Sequence, residues 1–156
     1  MNAAIGDFFP DKEKHDFASR NIIAGNVILC HSDIADKDKR LVIIGISSDK
    51  KRVATLCFNT KKYFTENKFL SSLEIHFNAK GRDYLEHDSY LKCSHIDIIP
   101  YQRIYERLFS NPEDLLGTMA KHDLDSVCTS AVNAHTAVKK NVHEFDLTGY
   151  ILHSKP

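Results

Sequence analysis

The feature that most constrains this chain is a succession of short, β-branched, apolar segments filling residues 21–100, each separated from the next by a charged or glycine-bearing turn. Segments of this length and texture form strands, and short turns join such strands antiparallel. The first is NIIAGNVILCHS (21–32); after the turn-like DIADKDK comes KRLVIIGISS (39–48), and after SSDKK comes KRVATLCFNTKK (51–62). In the fourth, FLSSLEIHFN (69–78), Leu73, Ile75 and Phe77 alternate with Glu74 and His76, the period of a half-buried strand. A loop with a glycine hinge, AKGRDYLEHD, leads to SYLKCSHIDIIP (89–100), a fifth strand that Pro100 ends.

Helical spacing follows. YQRIYERLFS (101–110) sets Tyr101, Ile104, Tyr105 and Leu108 at intervals of three and four, which suits a short helix or a 3₁₀ turn stopped before Asn111-Pro112. A longer helix is predicted from about His122, where Leu124, Val127, Cys128, Ala131, Ala134, His135 and Val138 recur on one face. Asp123 and Asp125 stand near its positive end and Lys139 and Lys140 near its negative end. The tail holds a last strand or an extended segment whose Phe145, Leu147, Tyr150 and Leu152 dock on the rest. The expected division is an arm or short helix over 1–20, a β-rich body with its helix over 21–140, and a tail over 141–156. The fold class is mainly β with a C-terminal helix (α+β), a small curled sheet or barrel closed by that helix.

Composition narrows the function classes. A chain of 156 residues, 42% apolar and 27% charged, is long enough for one core and too apolar for disorder. No apolar run approaches the roughly 20 residues that span a bilayer, and the first residues lack a signal pattern, so a cytoplasmic protein with no membrane partner is expected. The four cysteines form no CxxC pair and read as buried free thiols, and no two of the nine histidines show the H-E-x-x-H spacing, so neither metal nor cofactor is expected. Charge is balanced overall but not locally: residues 37–68 carry nine basic and three acidic side chains, and residues 83–125 carry nine acidic and four basic. The basic side, including Lys37, Lys39, Arg40, Lys50, Lys51, Arg52, Lys61 and Lys62, suits phosphate.

Four places resemble the MazF/PemK (Kid-like) family of toxin endoribonucleases. They are the strand opening at Gly25-Asn26-Val27, the basic pair Lys39-Arg40 leading into Leu41-Val42-Ile43-Ile44, the polar pair Asn59-Thr60, and HDSYLKCSHID (87–97) followed by Leu116-Gly117-Thr118-Met119. The resemblance covers about three quarters of the chain. Leu41 stands where the family has proline, and Ser94-His95 stand where relatives carry an acidic residue and glutamine, so the carboxylate of that position is missing. The resemblance implies an SH3-like barrel that cuts single-stranded RNA without a metal. The ribose 2′-hydroxyl attacks the adjacent phosphate, leaving a 2′,3′-cyclic phosphate and a 5′-hydroxyl. It further implies a homodimer and a cognate antitoxin.

By that resemblance Arg40 presents its planar fork to the scissile phosphate, Thr60 orients it, and His31 or His95 moves protons, a task their ordinary pKa of about 6.5 suits. Lys39, Lys61, Lys62, Lys92 and Ser94 are the candidate RNA contacts, with the Lys50-Lys51-Arg52 turn flanking the mouth and Tyr63 and Phe64 stacking on a base. The alternatives are a catalytically degenerate barrel of the same type that binds nucleic acid or a protein, and an unrelated small β-barrel adaptor.

Overall fold

The computed structural model describes residues 10–62, 66–134 and 136–152. Tyr63, Phe64 and His135, and the residues before Pro10, lie outside them. Six strands form one antiparallel open sheet: β1 (Asn26–Ser32), β2 (Lys37–Ile46), β3 (Arg52–Asn59), β4 (Glu74–Phe77), β5 (Ser89–Pro100) and β6 (Leu115–Thr118), in the spatial order β4-β5-β3-β2-β1-β6. Helices α1 (Asp11–Asn21), α2 (Lys68–Ser72), α3 (Tyr101–Ser110), α4 (Lys121–Asn133) and α5 (Lys139–Glu144) complete the α+β architecture. Among the described residues no helix is long and apolar enough to cross a membrane.

Because strand side chains alternate, each apolar strand feeds two cores. Val42, Ile44, Ala54, Leu56 and Leu91 face one side, where α4 lays down Val127, Cys128 and Ala131 and the tail adds Phe145 and Leu147. Ile28, Leu41, Ile43, Val53 and Ile99 face the other, under Ala18 and Ile22 at α1 and Ile104 and Leu108 of α3. Thus Asp11–Asn21 forms a helix with a buried face, packed on α3. All four cysteines are buried and free.

The sheet is strongly curled. Ser32, at the end of β1, donates its hydroxyl to Asp97 Oδ2 of β5 at 2.6 Å although β2 and β3 lie between these strands. Three strand spacings of about 4.8 Å would hold them ~14 Å apart in a flat sheet. Register shifts at Val27/Ile28, Ile43/Gly45 and Thr55/Cys57 supply local bends.

Four expectations need correction. Residues 69–72 belong to α2, capped by the Asn67 side chain, which accepts from Leu70 N–H, and β4 is correspondingly shorter. The long helix stops at Asn133, since Ala134 is extended and Val138 precedes the separate α5. Leu116, Gly117 and Thr118, expected to lead into that helix, form β6 against β1. The tail is α5 and a 3₁₀ turn at Thr148–Tyr150 instead of a strand; Phe145 and Leu147 are buried, whereas Leu152 is 69% exposed.

The tail crosses β2 at Gly45, where an added Cβ would lie 2.7 Å from the Phe145 carbonyl oxygen and 2.8 Å from its Cβ. Overpacking of this kind costs about 1–3 kcal/mol. Gly45→Ala is therefore expected to lower the unfolding free energy by that amount, read from urea titrations followed by circular dichroism; an unchanged midpoint would show that the tail does not press on β2.

Candidate functional site

The β1–β2 hairpin carries lysines at alternate positions, so Lys37 and Lys39 project to one face. On that face they meet Cys57 and Asn59 of β3 and Lys92 and Asp97 of β5, around a cavity of about 400 Å³. Ser32, Ile34 and Ala35 of the hairpin turn close one wall, and His95 stands exposed at the rim. Lys39 Nζ donates to Asn59 Oδ1 at 2.8 Å. Asp97 is 4% exposed and Lys92 8% exposed, so a carboxylate and an ammonium sit at the base of the cavity.

Three lysines and one aspartate line the cavity, and Lys92 stands directly across from the buried Glu74 of β4. Such a lining attracts an anion of phosphate size. Burial pushes the Cys57 thiol up, and the opposing pull of Lys39 and Lys92 does not reverse this, which disfavours its thiolate. The imidazole of His95 meets the Ser94 hydroxyl through Nδ1 at 2.9 Å. Among the described residues no three metal-ligating side chains are grouped to hold an ion.

Of the residues singled out by the sequence, Lys37, Lys39, Asn59, Lys92 and His95 line this cavity. Arg40 does not. One position along β2 from Lys39, it points to the opposite face, where its Nε donates to the Tyr84 carbonyl at 3.1 Å and its guanidinium pairs with Glu86 at 3.1 Å. His31 is turned toward Asp33 and Asp36 in its own hairpin, at 3.8 and 3.6 Å. Thr60 and Lys61 are exposed beyond the end of β3, and Lys62 donates to Ser71 Oγ. Ser94 is buried, its carbonyl accepting from the Thr136 hydroxyl. The Lys50-Lys51-Arg52 turn lies at the other end of β3 from Asn59, with Arg52 bonded to both carboxylate oxygens of Glu144 at 2.9 Å.

Sequence reasoning missed Asp97, Ser32 and Cys57 as site residues. The signal for Asp97 is a charged side chain within the apolar run Ile96-Asp97-Ile98-Ile99, two positions after His95. It supplies a carboxylate close to the position where the resemblance left one missing. Neither the family models nor the curated proteins compared with this chain match it.

The hairpin that carries Lys37 and Lys39 is tied to α3 by ion pairs. Arg103 meets Asp33 at 3.0 Å, and Arg107 joins Asp38 at 2.8 Å and Asp114 at 2.6 Å. The hydrogen bond from Arg107 holds the Asp38 carboxyl below its ordinary value. A lowered carboxyl contributes stability above its unfolded pKa of about 3.9 and loses it as pH falls through the folded value. Asp38→Asn is thus expected to reduce the difference in Tm between pH 7 and pH 3; an unaltered difference in thermal melts would dismiss the clasp.

Proposed function

We propose that this chain is a MazF/PemK-like protein whose curled sheet is the small barrel of that family, and that it acts as the toxin of a type II toxin–antitoxin pair. Its substrate is single-stranded RNA, cleaved without a metal. The observation that carries this reading is one cavity holding three lysine ammonium groups, a rim imidazole and a buried carboxylate.

The chemistry follows from those groups. Lys37 and Lys39 hold the phosphodiester, and Lys92 offsets the charge that builds on phosphorus, as fixed cations do. Asp97 takes the proton of the 2′-hydroxyl. The 2′ oxygen then forms a bond to phosphorus, the bond from phosphorus to the 5′ oxygen breaks, and protonated His95 gives its proton to that leaving oxygen. The products are a 2′,3′-cyclic phosphate and a 5′-hydroxyl, with the transferred proton left on Asp97 and returned through water. With Nδ1 engaged by Ser94, Nε2 is the atom of His95 that exchanges the proton. Lysines replace the arginine fork expected from the resemblance, so the phosphate is held by point charges.

A catalytically degenerate barrel that binds RNA without cutting it is the second reading, favoured by the pairing of Arg40 with Glu86 on the far face. Incubation of the protein with a long single-stranded RNA in EDTA separates the two. Metal-independent fragments with 5′-hydroxyl ends are expected, with kcat/KM reduced about 100-fold in His95→Ala, about tenfold in Lys39→Ala and less than about twofold in Arg40→Ala. RNA that stays intact but shifts in a salt-sensitive gel would establish the binder, and RNA that does neither would refute both.

A further inference from the structure

Ser32 is an unusual neighbour for a catalytic carboxylate because it comes from a strand that does not pair with β5. Its side chain is buried, and its hydroxyl is committed from both sides. The Ala35 N–H donates to Ser32 Oγ at 3.3 Å, occupying a lone pair, and the Ser32 O–H is directed to Asp97 Oδ2 at 2.6 Å. That separation is typical of a hydroxyl on an ionised carboxylate, a bond stronger than its neutral counterpart. The turn is closed by Asp36 N–H on the Ser32 carbonyl at 2.7 Å, and the backbone of Asp97 is held separately, its carbonyl accepting from Thr55 Oγ1 at 2.8 Å.

We infer that Ser32 is a positioning residue: it fixes Oδ2 of Asp97 and thereby aims Oδ1 at the ribose hydroxyl, linking the conformation of the hairpin turn to the competence of the base. This inference rests on the RNA-cleaving reading of the cavity. Ser32 forms and breaks no covalent bond in the reaction. The charged groups around Asp97, namely Lys37 and Lys39 from β2 and Lys92 and His95 from β5, set the field at the carboxylate, whereas the Ser32 hydroxyl sets its direction by a hydrogen bond. A base held loosely loses rate without losing affinity, since the phosphate contacts are untouched.

The test compares Ser32→Val and Ser32→Thr in the full chain, a pair differing by a methyl against a hydroxyl at nearly constant volume. Circular dichroism establishes that each variant is folded. In steady-state RNA cleavage in EDTA, Ser32→Val is expected to lower kcat about tenfold with KM within about twofold, and Ser32→Thr to stay within about threefold of the unaltered chain. In an Asp97→Asn background, Ser32→Val is expected to add no further loss, because the oriented group is already gone. Equal losses in both backgrounds, or a Thr variant as slow as the Val variant, would overturn the inference. Should Ser32→Val fail to fold, the smaller Ser32→Ala takes its place with the same loss of kcat expected, and an unchanged kcat in that variant would overturn the inference equally. An unaltered chain that leaves RNA intact would overturn the cleavage reading itself, and is recognised before any substitution is made.

Discussion

A single hydrogen bond across unpaired strands depends on the same curl of the sheet that forms the cavity. Ser32 and Asp97 can meet at 2.6 Å only because the sheet curls through the two strands between them. Right-handed twist alone rotates neighbouring strands by about 20–25°, and the three register shifts add local bends to it. The curl carries the β1–β2 hairpin over β5, so lysines from one hairpin converge with a lysine and a carboxylate from a strand they do not pair with. In a flat sheet these groups would be a solvated row of charges. Curled, they line a recess.

The alternation of side chains then decides which cation enters that recess. Lys39 and Arg40 are adjacent in sequence, yet a period of two sends them to opposite faces, one to Asn59 and the other to Glu86. A shift of one residue in the pairing of β2 would exchange them, but it would also exchange Leu41 with Val42 and disturb both cores. The apolar pattern therefore enforces the choice of lysine. That choice has chemical content, because an ammonium provides a compact charge where a guanidinium would provide two parallel donors.

Much of the sheet was legible because its strands are short β-branched runs buried on both faces and bounded by charged turns, as in Val27-Ile28 and Leu41-Val42-Ile43-Ile44, and because Pro100 marks the passage from β5 to α3. The four-residue β6 was not: Leu115–Thr118 has too few positions to show a period, and its place beside β1 is a tertiary fact. Nor was the end of α4, since Ala134 and Val138 prolong its apolar spacing although the backbone turns extended at Ala134. The site divides in the same way. Lys39 stands out in a basic run, and Lys92 and His95 through the resemblance, whereas Ser32 and Asp97 become partners only through the curl, and 65 positions separate them in the chain. Arg40 shows the converse, a residue conspicuous in sequence whose direction depends on strand alternation and whose partners come from the loop before β5.

Burying charge at the base of the cavity is costly to the fold. Equal numbers of basic and acidic residues, 21 each, leave the whole molecule without a formal charge, so attraction at a distance is weak. Inside the recess the balance differs, with three lysines to one aspartate. Taking Lys92 and Asp97 out of water costs several kcal/mol per ion before pairing and hydrogen bonding offset it, and apolar side chains of similar volume would fill the same space without that penalty. Part of that cost is met within the fold, since Lys92 stands directly across from the buried Glu74 of β4 and Asp97 accepts from Ser32. In the proposed reading a bound phosphodiester adds to this balance, bringing negative charge to the cavity and a hydroxyl whose hydrogen bond the carboxylate can accept.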